Sequence, residues 1–442
     1  MSQVANMIVN PTTGEISGTL AVPPSKYHLH RSLILGSLAR GNSVVLGKSE
    51  ARHVGFTMSA LRAMGTEITQ NESGYAVTGG SYHAREPQID VGNSGSTLQF
   101  LLGLGALVDN GPVIFHGQRS LMRRPVEPLL DALRTLGIQI ARTDSGLGLW
   151  VHPARIKGGM VMLPGLLSQW ASSILLLAPF ADRGVTVMLS EPLRERTYVS
   201  LTARMMGHFG VQVQTDGERS WWHVGPGQSY RPTVIDSTPD LSSAAFLLAL
   251  AALHPSRLTL TDFGDDGSEH PEGRILKILG AMGLPLHWDR ERQLLAVHHD
   301  GERLSAIDID MRDIPDLFPI LSVLAATAKG TTILRHVQPA RYKESDRVAA
   351  MMQLRAMGAR IQDEGENVVI QGVERLQGAE LAIADDHRVL MAYAIAGTVA
   401  QGPTVLSHPW AYRISYPEFL DHLQRLGVVL AVETRQHKVS LV

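Results

Sequence analysis

The sequence predicts an α/β fold made of six copies of one unit, set out as two similar lobes of three. Two recurring glycine markers and their shared period predict it. In the first marker an apolar helical pattern ends at a glycine and a short strand-like stretch follows. The copies are ALRAMGTEI at Gly65, ALRTLGIQI at Gly137, MMGHFGVQV at Gly210, ILGAMGLPL at Gly283, QLRAMGARI at Gly358 and LQRLGVVL at Gly427. Successive glycines lie 72, 73, 73, 75 and 69 residues apart. Apolar residues three or four apart form one helix face. A glycine just past the last turn takes the left-handed conformation that closes a helix.

The second marker sits half a unit away. It reads as apolar helix, polar turn and β-branched strand: SLARGNSVVL at Gly41, LVDNGPVIFHG at Gly111, FADRGVTVML at Gly184, ATAKGTTILRH at Gly330 and TVAQGPTVLSH at Gly402. The fourth copy, LHPSRLTLTDF, has Ser256 in the glycine's place. Each unit of about seventy residues therefore alternates strands with two helices. Such units bury their helices and expose their sheets. Crossovers are expected near Ala21 to Pro24 and near Val234 to Asp240. One lobe, repeats 1–3, is placed at 23–235; the other, repeats 4–6, at 1–22 together with 236–442.

Bulk properties narrow the function classes. A chain of 442 residues is too long for one ordinary core. Formal net charge is −2 and no long basic block occurs, so no nucleic-acid partner is indicated. Cysteine is absent, which excludes disulfides, thiolate metal sites and a cysteine nucleophile. The start, MSQVANMIVNPTTGEISG, does not read as a secretory signal. No apolar run reaches the ~18 residues of a membrane span. A soluble, cytoplasmic protein without a membrane partner is expected, and a monomer.

Several polar clusters fall at helix starts. Lys26 and Arg31 lie in VPPSKYHLHR, a Pro-rich approach to an apolar helix. Two cations there suit a phosphate or carboxylate; ordinary surface charge is the competing reading. GNSGSTLQF around Gly95 can turn backbone amides toward an anion, but it lacks the Gly-Lys-Ser/Thr ending of a P-loop. Arg123 and Arg124 precede Pro125, where a cation opposes the helix dipole. DIPD holds Asp313 and Asp316, RYKESDR holds Lys343, Glu344 and Arg347, and DDHR holds Asp386 and Arg388. Caps and solvated turns compete for each of these. Their comparable phase in the repeat, and the mixture of cations with carboxylates, point to a multiply anionic substrate and proton transfer.

SKYHLHR, GNSGSTLQF, RRP, SQW, DIPD, RYKESDR and DDHR stand in the order and spacing of one family. Across nearly the whole chain the sequence resembles the enolpyruvyl transferases, specifically the 5-enolpyruvylshikimate-3-phosphate synthases. The resemblance implies two lobes, each of three βαβαββ-like repeats in an inside-out α/β barrel, closing over substrate. It implies transfer of the enolpyruvyl group of phosphoenolpyruvate to a ring hydroxyl by addition and elimination, within the shikimate route to aromatic amino acids. No metal or other cofactor is implied. Carried over by motif, Lys26, Asp316 and Glu344 are catalytic. Gly95, Arg124 and Gln169 take the phosphate of phosphoenolpyruvate. Arg347 and Arg388 take its carboxylate. Arg31, Ser168, Tyr198 and Lys343 hold the ring acid.

The sequence departs from the family at specific places. Tyr27 stands for a serine after the first lysine, Leu167 for the first of two serines before the glutamine, and Glu195 for a serine three residues before Tyr198. Gln99 replaces an arginine and Pro339 an asparagine. A late lysine falls at Ile414, with Arg413 as its neighbour and possible substitute. Leu167 and Glu195 occupy positions that serve the ring phosphate in the family. A carboxylate beside a phosphate repels it by ~4 kcal/mol per unit charge at about 4 Å and an effective dielectric of about 20. An unphosphorylated shikimate-like acceptor is the resulting expectation beside shikimate 3-phosphate. Two other functions stay open on these residues. One is a lyase or dehydratase acting without phosphoenolpyruvate; the other is a non-catalytic sensor of a shikimate-type ligand.

Overall fold

Six short-range motifs set the local architecture. The computed structural model describes residues 4–216, 218, 220–264, 268 and 270–435. Gly65, Gly137, Gly210, Gly283, Gly358 and Gly427 all have positive φ, between +82° and +102°. The amide after each glycine bonds to the carbonyl five residues earlier, as in Thr66 to Leu61 and Val428 to Leu423, both 3.0 Å. That is the Schellman closure, and it hands each helix to the strand that follows. At the second marker, where glycine is missing, the Ser256 hydroxyl donates to the Ala251 carbonyl at 3.0 Å.

The chain forms two units. One is continuous, Pro23–Thr238; the other joins Met1–Val22 to Pro239–Val442. Each holds three four-stranded sheets among the described residues. Every four-stranded sheet has the same plan: an outer strand parallel to its neighbour, then two antiparallel strands. In the sheet of the second repeat, Gln88–Asp90 runs parallel to Val113–His116, which pairs antiparallel with Gly148–Val151, itself antiparallel to Ile140–Arg142. This is the βαβαββ unit.

Three sheets are completed by distant chain. Val234–Asp236 supplies the parallel outer strand beside Gly41–Leu46. In the discontinuous unit Val4–Val9 inserts between Thr404–Ser407 and Leu430–Arg435, and Ile16–Ala21 runs parallel to Pro255–Thr261.

The helices that carry the candidate site are α1 (Lys26–Leu38), α2 (Gly95–Leu104), α3 (Ser168–Leu177) and α4 (Arg196–His208) in the continuous unit. In the discontinuous unit they are α5 (Leu241–Leu253), α6 (Phe318–Thr327), α7 (Arg347–Met351) and α8 (His387–Thr398). All residues of α1 and of α8 are buried. Helices apolar on every side belong inside, and α5, α6 and α8 pack on one another, while strands Pro255–Thr261 and Thr331–Arg335 alternate buried residues with exposed or half-buried ones. The strand Gly159–Leu163 shows the alternation: Val161 and Leu163 are buried, while Met160 and Met162 are 63% exposed. The expected helix-in, sheet-out architecture is what forms. Among the described residues no helix is long and apolar enough to cross a membrane.

Candidate active site

In the continuous unit the starts of α1 to α4 are neighbours. The Tyr27 ring, in the first turn of α1, meets the Tyr198 ring of α4 edge to face at 5.2 Å. Ser168, the first residue of α3, bonds Glu195, the N-cap of α4. Gln169 donates to Ser96 of α2 at 3.2 Å. Helix starts carry unsatisfied amides and partial positive charge, so this end of the unit favours anions.

Gly95, Arg124 and Gln169 come together there. A Cβ placed on Gly95 lies 2.9 Å from the Arg124 guanidinium and 3.7 Å from the Gln169 amide. The buried Nε of Arg124 has no hydrogen-bond partner among the described residues. A cation beside a helix start, with its buried donor unmet, has the chemistry to receive an anion.

The Gly95 turn is braced from α1. His30 Nδ1 meets the Thr57 hydroxyl at 2.7 Å, Thr57 meets Thr97 at 2.6 Å, and Thr97 donates to the N-cap Ser94 at 2.7 Å. Burial first, then the charges of His53, Lys26 and Arg31, holds His30 well below its usual range, so it is neutral and suited to a fixed hydrogen bond. Sequence alone assigns His30 no role, because a histidine near a helix start carries no signal of a partner 27 residues away.

Lys26 is buried, its ammonium 5.4 Å from the Tyr27 ring centroid. Arg31 serves a structural purpose here. It donates to Thr202 at 2.7 Å, to the Tyr27 carbonyl at 3.0 Å and to the Tyr198 carbonyl at 3.2 Å, and it lies over Phe100. Burial pulls it down to about 9, opposed by Tyr198 and Tyr27, so it is still charged at neutral pH. Leu167 is the buried N-cap residue of α3 and makes no side-chain cap bond.

In the discontinuous unit, Arg347 is the centre. Its side chain is fully buried and reaches three carboxylates: Asp316 at 2.6 Å, Glu344 at 2.6 Å and Asp386 at 2.9 Å. Burial alone lowers the affinity of Arg347 for its proton, but Asp386, Glu344 and Asp316 together raise it well above the usual value. Arg388 and Lys343 approach Asp316 at 3.2 and 3.8 Å. Thus Asp316, Lys343, Glu344, Arg347 and Arg388, all selected from sequence, form one cluster. Arg413 lies elsewhere in its contacts: its guanidinium covers the Trp410 ring at 4.9 Å and bonds the Tyr412 hydroxyl.

Two parts of this cluster had no assigned role. Asp386 caps α8 through the Arg388 and Val389 amides while it holds Arg347. Asp240 caps α5, and Ser242 in that first turn accepts from Arg388 at 3.2 Å. Burial opposes ionisation of Asp240, yet His270, Ser242 and Arg388 hold it well below the usual carboxylate range. An aspartate at a helix start reads as a cap from sequence, and both are caps; the second partner needs the fold. Glu344, Asp386 and His387 bring ligand-type atoms within 4.8 Å among the described residues. Arg347 already bonds the two carboxylates of that group, so a guanidinium fills the cationic role there.

Known proteins resemble this chain in sequence and in fold. Residues 11–423 match the family described as EPSP synthase (3-phosphoshikimate 1-carboxyvinyltransferase). The 3-phosphoshikimate 1-carboxyvinyltransferase of Methanococcus aeolicus is 31% identical over 97% of this chain and 100% of its own length. That of Methanocorpusculum labreanum is 35% identical over 95% and 98%. The EPSP synthase structure from Acinetobacter baumannii superposes with a TM-score of 0.80 at 27% identity, covering 98% of this chain and 100% of that one. The enolpyruvyl transferase NikO from Streptomyces tendae shares the fold, with a TM-score of 0.79 at 17% identity over 98% and 100%. Match, length and fold together make this chain a member of the EPSP synthase family.

Proposed function

We propose that this chain transfers the enolpyruvyl group of phosphoenolpyruvate to a ring hydroxyl of a shikimate-type acid. Its family and full-length relatives support enolpyruvyl transfer from phosphoenolpyruvate to shikimate 3-phosphate. The observation that carries the reading is the Arg347 cluster, which holds two arginines and a lysine against the carboxylates of Asp316 and Glu344.

In this reading residues 23–235 bind the ring acid and the phosphate of phosphoenolpyruvate. Residues 1–22 with 236–442 supply the acid–base pair and the carboxylate clamp. The ring oxygen attacks C2 of phosphoenolpyruvate as its proton passes to the base, and C3 gains a proton. Loss of phosphate, with a proton removed from C3, then leaves the enol ether. Asp316 and Glu344 exchange those protons, Lys26 assists, and Arg347 with Arg388 orients the carboxylate. Arg124, Gly95 and Gln169 receive the leaving phosphate. Ser168, Tyr198, Lys343 and Arg31 position the ring acid, Arg31 through α1 and α4. The protein acts as a cytoplasmic monomer.

Phosphate release and product mass test the reaction, with phosphoenolpyruvate and either shikimate 3-phosphate or shikimate. A product heavier than its acid by one enolpyruvyl group is expected. Turnover of the acid alone, without phosphoenolpyruvate, would replace transfer by a lyase reaction.

A further inference from the structure

Two helix starts in the continuous unit differ in charge. At α2 the Gly95 turn faces Arg124, whose buried Nε is unmet among the described residues. At α3 the chain has brought its own anion. Glu195 is 1% exposed. Its Oε2 accepts from the Ser168 amide at 3.2 Å and from the Ser168 hydroxyl at 2.8 Å. That amide is among the donors a helix start offers to an external phosphate or carboxylate.

The arrangement is built. Leu167, at the N-cap of α3, has no side chain that could cap the helix, and Glu195 reaches across from α4 to do so. Glu195 itself adopts φ +65°, the left-handed region, which is uncommon for a residue with a Cβ. The backbone is held there by the first turn of α4, where the Tyr198 amide bonds the Glu195 carbonyl at 3.1 Å. Tyr27 packs edge to face on Tyr198, with the Lys26 ammonium 5.4 Å from the Tyr27 ring centroid. A carboxylate set this way accepts from a neutral hydroxyl and repels a phosphate dianion.

We infer that Glu195 determines acceptor specificity: its carboxylate takes the place of a ligand anion at the start of α3, and the preferred ring acid presents a hydroxyl there, without a phosphate. The substrate pair then carries one phosphate, that of phosphoenolpyruvate. This rests on the enolpyruvyl-transfer reading.

The test uses the full chain with saturating phosphoenolpyruvate, comparing shikimate with shikimate 3-phosphate by product mass and kcat/KM. The wild type is expected to favour shikimate by about tenfold or more. Glu195→Gln keeps an acceptor for Ser168 without the charge, and Glu195→Ser removes both. The ratio should move toward the phosphorylated acid by about tenfold in the first and about a hundredfold in the second, chiefly through KM. Wild-type turnover at least as efficient with shikimate 3-phosphate overturns the inference, and this arm needs no variant to fold. If neither acid yields an enolpyruvyl product, the transfer reading falls, and calorimetric binding of the two acids still decides about Glu195. Tighter wild-type binding of shikimate 3-phosphate than of shikimate counts against it; the reverse order, inverted in Glu195→Ser, supports it.

Discussion

Arg347 and Asp386 are joined by a hydrogen-bonded ion pair, Nε to Oδ2 at 2.9 Å, with both side chains wholly buried. Asp386 is also the cap of α8. One carboxylate thus ties the start of a core helix to the arginine that gathers Asp316 and Glu344. Removing the guanidinium leaves buried carboxylates without their main counter-charge. Arg347→Met should lower unfolding free energy by about 3–5 kcal/mol in urea titration. Arg347→Lys should recover little of it, because an ammonium cannot match a planar fork on three partners. Equal stability of Arg347→Met and wild type would show that the cluster is not the anchor described.

Asp316 separates structure from chemistry more cleanly. It accepts from Arg347 at 2.6 Å and lies 3.2 Å from Arg388. Asp316→Asn keeps shape and an acceptor oxygen but cannot take up a proton. A fall in kcat of about 10²–10⁴-fold is expected, with phosphoenolpyruvate binding changed less than about tenfold by calorimetry. Parallel loss of binding and turnover would make Asp316 a clamp residue only.

Gly95→Ala probes the proposed phosphate seat. The added methyl falls 2.9 Å from the end of the flexible Arg124 side chain, which must give way. The fold should tolerate this, so the melting temperature should hold within about 2 °C. KM for phosphoenolpyruvate should rise by about tenfold as Arg124 is displaced. An unchanged KM would move the phosphate seat away from Gly95.

Acid stability should report His254. It is buried, pairs with the Thr398 hydroxyl at 2.9 Å, and burial lowers it to about 4. The unfolded chain binds this proton near pH 6.5, so below that the unfolded state holds more protons than the folded one. Stability is therefore complete above about pH 6.5 and falls as pH drops toward about 4, by about 3 kcal/mol in all from this group. His30 and His422 shift the same way. His254→Gln should flatten the slope of stability against pH between about 4 and 6.5 by up to one proton. An unaltered slope would mean that His254 charges freely in the folded state.

What could be read from the residues alone was what rests on short-range bonding. The helix-closing glycines announce themselves because each closure needs only a left-handed residue and a bond five positions back. Six of them at one spacing reveal the repeat, and the helix starts they frame hold the chemical residues. RYKESDR and DDHR mark Arg347 and Arg388 without saying which carboxylates they meet. The tertiary structure decided the rest. It set Val234–Asp236 beside Gly41–Leu46 and Val4–Val9 among strands some four hundred residues later. It committed Arg31 to the backbone of α1 and α4 and turned Glu195 inward onto Ser168. Ladder pairings and buried ion pairs join residues distant in sequence, and their energies depend on burial and geometry that exist only once the chain has packed.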